Sequence, residues 1–363
     1  MGNNVTVTVN NSTNSTNVSM NGGGGGGGRG PFILPHRSKQ TMAAINAQIG
    51  FLLYLIVIGL TINTLVTTLL LKKFKTLPYI MLQNIVVVDL LTPILNGPLF
   101  FIGLLLDQHG IALPNLCNVQ GFFHAALSTV FLNTVTMIAV SRCLAILKPE
   151  LYHKIFVNKI VIRLLSVGLW SASALICVPP LNYKGWGGYR KLVGTCWLAW
   201  IPDNKDFMAY NFLVTFFSLG AAVASSLFAW RALCSIKKVV RVAPQVCAAQ
   251  DPPPYPGTDD PQPTEKATHT VRLNTEIFLI AATQLILYLL LWIPLTVMDW
   301  AFLKDWRMVN YRVIITFVFL FLCRSLFNPI IYFAFSPDMR KEFVNLCLRC
   351  KCKGTQNDES NVE

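Results

Sequence analysis

The chain has 363 residues, of which 53% are hydrophobic and only 13% are charged. Soluble domains carry about a quarter charged residues, and a mean hydropathy of +0.50 is too high for a chain made of water-exposed domains. The composition excludes a disordered chain, a collagen and a disulfide-dense secreted scaffold. The net charge of +13 fits either nucleic-acid binding or the inner loops of a membrane protein, and the positions of the charges decide between them.

The N-terminal tail, residues 1–45, is rich in asparagine, serine and glycine. It holds overlapping N-x-[ST] acceptor sites for N-glycosylation, which need a lumenal location; their asparagines are Asn4, Asn10, Asn11, Asn14 and Asn17. The glycine run 22–28 predicts a flexible spacer. The first 40 residues lack the apolar core of a signal peptide, so we expect the first hydrophobic helix to act as an uncleaved signal anchor.

The tail also contains a competing signal. The start Met1–Thr6 fits the pattern for N-myristoylation, which would require a cytosolic N-terminus. The glycosylation acceptors and the distribution of basic residues outweigh this short pattern.

Seven apolar stretches follow the tail, each as long as the roughly 20 residues that cross a bilayer. They cover 50–71, 78–105, 118–145, 160–181, 207–233, 275–303 and 310–335. Each predicts a helix, because a bilayer core offers no partners to unpaired backbone groups. The predicted fold is an all-α membrane protein. Residues 46–345 form a seven-transmembrane helix bundle with a short amphipathic eighth helix, and residues 346–363 form a cytoplasmic tail.

The basic residues are distributed unevenly about these spans. Seven crossings put the termini on opposite sides, with 19 of the 30 Lys and Arg residues on the C-terminal side, 10 on the N-terminal side, and Arg324 within the last span. The positive-inside rule predicts a multi-pass plasma-membrane protein with an extracellular N-terminus and a cytoplasmic C-terminus. The net charge therefore reflects membrane orientation, and no nucleic-acid partner is expected.

Polar residues and prolines recur at distinctive places within the spans. Their order along the chain is Asn63, Asp89, Ser141-Arg142-Cys143, Trp170, Leu291-Trp292-Ile293-Pro294 and Asn328-Pro329-Ile330-Ile331-Tyr332. In this order they resemble the landmarks of the rhodopsin-like (class A) G-protein-coupled receptors, over about residues 45–350. The NPxxY sequence at 328–332 is the most specific single element.

The resemblance implies roles in activation for several residues. Arg142 would meet the G protein, and a bend at Pro294 beside Trp292 would open the cytoplasmic face. The NPxxY residues Asn328, Pro329 and Tyr332 would take part in the same step. A proline in a membrane helix can also be a static kink, and that alternative stays open.

Cys117 and Cys196 both fall on the predicted outer face, where conditions are oxidising. A disulfide between them would tie the second outer loop over the mouth of the bundle, as the resemblance implies. The alternative is two free thiols.

Two positions depart from the family pattern at the cytoplasmic end. Ser141 stands where the family usually has an acidic residue, and Asn274 stands near the partner position on the sixth helix. The ion pair that would hold the inactive state is thus missing at both ends. This predicts elevated basal activity or weakened coupling.

Asp89 and Arg324 are ionisable residues inside predicted spans, where such residues are costly and usually paired or functional. Asp89 matches the family's sodium-binding aspartate, but Phe131 replaces its usual hydroxyl partner on the third helix. Arg324 lies four residues before Asn328 and so on nearly the same face. We predict an Asp89–Arg324 ion pair in place of a sodium ion; in the alternative, Arg324 points elsewhere.

A ligand pocket is expected between the outer halves of helices 3, 5, 6 and 7. The residues predicted to line it are His124, Ser128, Leu295, Asp299, Val318 and Leu322. Amine receptors carry an aspartate at the His124 position, so a biogenic amine is not expected. Opsins carry a retinal-linking lysine at the Leu322 position, and leucine cannot form a Schiff base. His124 is either a pH switch or a hydrogen-bonded helix residue.

Two inner segments carry further motifs. Cys347, Cys350 and Cys352 lie among basic residues just after the last span, as palmitoylation sites do; a metal site there would lack a fourth ligand. The inner loop 237–269 is predicted to be flexible and proline-rich. Its Pro252-Pro253-Pro254-Tyr255 sequence fits the PPxY ligand of WW domains, with a plain linker as the alternative.

The predicted function is therefore that of a G-protein-coupled receptor. Its expected partners are a heterotrimeric G protein, arrestin, an unidentified extracellular ligand and membrane lipid. The sequence shows no GxGxxG, P-loop, HExxH or nucleophile-elbow motif, so no enzyme activity, cofactor or metal is expected. The alternatives are a non-coupling or decoy receptor, and a transporter or channel, which would want inverted repeats.

Overall fold

A computed structural model describes residues 42–73, 77–108, 114–156, 158–182, 189–192, 195–198, 216–232, 234, 263–304 and 311–346. From Ile45 onward the chain forms one compact unit. The five glycosylation acceptors, the PPxY sequence and the three C-terminal cysteines lie outside the described residues.

The first half of the chain forms two long helices and several shorter ones. In chain order they are α1 (Met42–Lys73), α2 (Leu77–Leu91), α3 (Gly97–Gln108), α4 (Pro114–Leu147), α5 (Pro149–Phe156), α6 (Lys159–Ile176) and α7 (Pro179–Asn182). A π-helical turn, Thr92–Asn96, joins α2 to α3. Prolines at the first positions of α4 and α5 need no helical hydrogen bond there, and the side chain of Asn158 caps α6 by accepting from the Ile160 amide at 2.9 Å.

A β-hairpin and five further helices complete the described structure. They are β1 (Tyr189–Leu192), β2 (Thr195–Leu198), α8 (Phe216–Ala232), α9 (Pro263–Lys304), α10 (Tyr311–Leu322), α11 (Arg324–Phe335) and α12 (337–346). The strands are antiparallel, with Lys191 opposite Cys196. This hairpin was not predicted from the sequence.

The predicted seven-helix architecture is confirmed. Five helical segments are long and apolar enough to cross a membrane, and α10 with α11 makes a sixth, bent by 41° at Cys323. The shorter apolar helix α8 lies within the remaining predicted span. One predicted boundary is wrong: α9 begins at Pro263, so the end of the segment 237–269 is helical rather than a flexible loop, because proline is well placed to begin a helix.

Burial separates the central helix from the peripheral ones. In the apolar segment of α4, 56% of the residues are buried, against 17% for α6. The exposed face of α6 is apolar and includes Ile160, Leu164, Val167 and Leu175, as expected of a helix that faces lipid. Because α4 contacts α2, α6 and α9, it is the element on which the polar interior is built.

Candidate functional site

One end of α4 is tied to the β-hairpin. The predicted disulfide is formed: Cys117, in the first turn of α4, is bonded to Cys196 on β2, with their Cα atoms 5.2 Å apart. Both strands contact α4. We call this end of the bundle the disulfide end, and the opposite end of the same helix the Arg142 end.

The predicted pocket residues lie on α4, α9 and α10. The His124 ring of α4 lies 5.4 Å from the Phe321 ring of α10, and Ser128 lies beside the Tyr288 hydroxyl of α9. Leu295 and Val318 are buried, and Leu322 is half-buried. Asp299 lies in α9, and its side chain lies outside the description.

A layer of aromatic rings lies at the base of this region. The Tyr288 ring stacks on Phe131 at 5.4 Å and on Trp292 at 6.3 Å, and it meets the edge of Phe321 at 5.8 Å. The layer joins α4, α9 and α10. Neither Tyr288 nor Phe321 was predicted from the sequence to lie in the site. Their helical spacing from Trp292 and Arg324 is the signal that could have found them.

Arg324 lies against this layer and is 4% exposed. Its guanidinium carbon is 4.6 Å from the centroid of the Phe131 ring, 5.6 Å from Tyr288 and 5.9 Å from Phe321. We call these three rings the aromatic cage. A cation on a ring face is stabilised by roughly 2 kcal/mol when both are desolvated, so the cage offsets part of the cost of burying this charge.

The predicted Asp89–Arg324 ion pair is not formed in the structure. Asp89 Oδ1 accepts a hydrogen bond from Asn328 Nδ2 at 2.7 Å, and neither Asp89 Oδ2 nor Arg324 Nη1 has a hydrogen-bond partner. Arg324 is still close enough to act electrostatically on Asp89. The ion pair is absent because each group has another partner: the Phe131 ring offers its face to the guanidinium, and Asn328 donates to the carboxylate.

Asn63 fastens α1 to this polar centre. Its Nδ2 donates to the Gly59 carbonyl at 2.8 Å and to the Ser325 carbonyl of α11 at 2.9 Å. The second bond satisfies a backbone carbonyl next to Arg324, at the bend between α10 and α11. Asn328, Pro329 and Tyr332 of the NPxxY sequence are all buried in α11, so the predicted activation residues lie inside the bundle.

Arg142 is buried at its end of α4, where it is 2% exposed. Its Nε donates to Ser141 Oγ at 3.2 Å, and that hydroxyl donates to the Ile138 carbonyl at 2.7 Å. The guanidinium carbon lies 5.8 Å from the centroid of Tyr152, on α5. Ser141 therefore takes over, with a neutral hydroxyl, the place of the missing acidic neighbour.

Two other predicted activation residues lie in α9. Trp292 is half-buried in the aromatic layer, and Pro294 lies inside the helix. No group of three His, Cys, Asp or Glu side chains within the described ranges is placed to hold a metal ion.

Five helical spans with a sixth bent one and the shorter apolar α8, a disulfide between α4 and the β-hairpin, and a buried arginine at the far end of α4 are together typical of one class of membrane receptor. The family described as "7 transmembrane receptor (rhodopsin family)" matches residues 62–332. The chain belongs to this family.

Full-length relatives support the same placement. The chain is 27% identical over 349 residues to the rhodopsin of Sargocentron tiere, covering 92% of this chain and 91% of that protein. It is 26% identical over 347 residues to the rhodopsin of Oryzias latipes, covering 90% and 86%. The crystal structure of squid rhodopsin shares the fold, with a TM-score of 0.68 over 84% of this chain and 80% of that one at 18% identity.

Proposed function

We propose that this chain is a plasma-membrane receptor that passes an extracellular signal to heterotrimeric G proteins, and that it acts as a receptor rather than as an enzyme. Membership of the rhodopsin family supports receptor function. The observation that carries the proposal is Arg142, which is held at the end of α4 by Ser141 and faces Tyr152 of α5. A guanidinium held by a neutral hydroxyl can be released to a partner more easily than one held by a carboxylate.

The experiment is to measure cAMP, calcium and arrestin recruitment in cells that express the receptor. The control is Arg142→Ala at matched surface expression. We expect ligand-independent signalling from the unmodified receptor that Arg142→Ala abolishes. Equal signals from the two proteins would contradict coupling through Arg142 and would favour the second candidate, a non-coupling or decoy receptor, which the uncharged Ser141 and Asn274 also support.

The proposed orientation has the N-terminus outside and the C-terminus in the cytosol. The uneven distribution of Lys and Arg and the five glycosylation acceptors support it. An epitope tag before Asn4 should be labelled on intact cells, and a glycosidase specific for N-linked glycans should lower the apparent mass. A tag that is labelled only after permeabilisation would overturn the orientation.

The ligand is proposed to bind without a covalent link to the protein. Leu322 has no amine, so a retinal Schiff base cannot form there. Receptor purified in the presence of retinal should therefore show no visible absorbance band of a protonated Schiff base.

The inner segments supply three further proposals. They are palmitoylation at Cys347, Cys350 and Cys352, arrestin binding, and binding of a WW domain at Pro252–Tyr255, and each is supported by the sequence alone. Tyr255→Ala should abolish capture by WW domains and slow receptor turnover. Unchanged capture and turnover would leave the segment as a plain linker.

A further inference from the structure

A second polar contact lies at the Arg142 end, between α2 and α9. The Tyr79 hydroxyl donates to Glu276 Oε1 at 3.3 Å. The two side chains are 3% and 7% exposed. They are separated by 197 positions in the chain, so the bond joins two different helices and is no local helical contact.

The surroundings of Tyr79 extend the contact to a third element. The Ser336 side chain lies beside the same hydroxyl, and Asp338 is close enough to act on it electrostatically. Ser336 is fully buried between α11 and α12, and its hydroxyl accepts from the Met339 amide at 3.3 Å. Tyr79 thus lies where α2, α9 and the junction of α11 with α12 meet.

The Tyr79–Glu276 hydrogen bond is expected to stabilise the contact between α2 and α9. A hydrogen bond to a carboxylate is stronger than one between neutral groups, and a buried carboxylate that loses its donor pays the desolvation cost in full. Moving the start of the apolar part of α9 away from α2 would separate Glu276 from Tyr79. Position 274, by contrast, holds an asparagine and position 141 a serine, so these two sites cannot supply an ion pair between α4 and α9.

We propose that the Tyr79–Glu276 hydrogen bond is a latch that holds α9 against α2 at the Arg142 end. The strength of this latch would set the level of signalling in the absence of ligand. Only the signalling consequence rests on the proposed function. The latch itself is a property of the helix bundle and can be measured without a G protein.

The test is a distance measurement on the full-length receptor in lipid nanodiscs. Spin labels are attached through ketone-bearing unnatural residues at Lys159 of α6 and Arg272 of α9, which are both exposed, so that the native cysteines are left unchanged. Tyr79→Phe removes only the donor hydroxyl. We expect it to raise the population ratio of the conformation with long label distances to the one with short distances. The expected change is roughly tenfold, which corresponds to the loss of one hydrogen bond to a charged group.

The matched control is Tyr54→Phe, which removes a hydroxyl from a side chain that is 58% exposed on α1. It should leave the distances unchanged. Glu276→Gln is the second variant, because its amide oxygen still accepts a weaker bond and its shape is preserved. We expect a smaller shift from Glu276→Gln, and we expect the double variant to match Tyr79→Phe rather than the sum of the two shifts.

Distances in Tyr79→Phe that equal those of the unmodified receptor would overturn the latch. If Tyr79→Phe does not fold, unchanged distances in Glu276→Gln would overturn it. Signalling is measured in parallel in cells. Shifted distances in a receptor that never signals would support the latch and contradict the proposed function. Unchanged distances in a receptor that signals would contradict the latch and support the proposed function.

Discussion

At the scale of single residues, Arg324 shows what a sequence can and cannot reveal. A buried charge in an apolar span was recognisable as significant from the sequence, and so was its proximity to Asp89. The sequence did not reveal whether the Arg324 guanidinium would contact a carboxylate or the faces of aromatic rings. That choice depends on Phe131, Tyr288 and Phe321, which come from three different helices. Periodicity assigns each of them to an inward face, but it does not say which of the inward groups the guanidinium contacts.

The first prediction concerns sodium. The positive charge of Arg324 acts on Asp89, and the Phe131 ring leaves no hydroxyl at that position of α4 to ligate a cation. The Tm of the ligand-free receptor should therefore be the same in sodium and potassium chloride of equal ionic strength. A Tm several degrees higher in sodium would contradict this. The double variant Phe131→Ser with Arg324→Ser removes the cation and adds two hydroxyls, and it should acquire a sodium dependence.

The second prediction concerns Ser141. A carboxylate here would accept from Arg142 more strongly than the present hydroxyl, which accepts at 3.2 Å. We expect Ser141→Asp to lower ligand-free signalling roughly fivefold or more, the effect of about 1 kcal/mol on a two-state equilibrium. Ser141→Ala, which removes the acceptor, should not lower it. Basal cAMP and calcium normalised to surface expression are the measurements, and an unchanged signal in Ser141→Asp would count against the resting role of this site.

At the scale of elements, the sequence predicted the helices better than their joints. Runs of apolar residues located every described span, because a bilayer needs long apolar helices. The π-helical turn after α2, the bend at Cys323 and the β-hairpin are changes in local backbone geometry. Runs of apolar residues report only length and hydrophobicity, so they do not reveal these features. The start of α9 was missed because its first turns are polar, and polarity alone resembles a loop.

The third prediction concerns the packing of α3 on α1. A Cβ atom at Gly97 would lie 2.8 Å from Ile56 Cγ1, whereas one at Gly168 would meet nothing within 4 Å. Gly97→Ala should destabilise the receptor by about 1–3 kcal/mol through overpacking. Gly168→Ala in α6 is the control and should leave stability unchanged or raise it by up to about 1 kcal/mol. Thermal unfolding in detergent measures both, and equal Tm values would show that α1 can move aside.

At the scale of the whole molecule, a disulfide bond ties the β-hairpin to α4. The Cys117–Cys196 disulfide closes a sequence separation of 79 residues, and long closures restrict the unfolded chain most. The pairing was predictable because only these cysteines fall on the predicted outer face. The shape of the loop that it secures was not, because strand pairing between Tyr189–Leu192 and Thr195–Leu198 leaves a weak sequence signal.

The fourth prediction follows from this bond. Cys196→Ser should destabilise the receptor by about 2–5 kcal/mol and reduce the amount that reaches the cell surface. Cys234→Ser is the control, because Cys234 is a free, partly buried cysteine. Tm and surface labelling measure the two effects, and a Cys196→Ser protein as stable as Cys234→Ser would show that strand pairing alone secures the hairpin.

Because α9 is long, a small change in its tilt produces a large displacement at its far end. This single helix has 42 residues and is about 63 Å long, and Pro263 lies about 46 Å along the axis from Pro294. If Pro294 acts as the fulcrum, a tilt of only ~5° moves the far end of the lever by about 4 Å. A displacement at Leu295 too small to disturb the predicted ligand pocket would thus become a displacement of several ångström at the opposite end of α9. Shortening α9 ahead of Arg272 should therefore reduce the displacement at that end of the helix without changing the tilt at Pro294 that causes it.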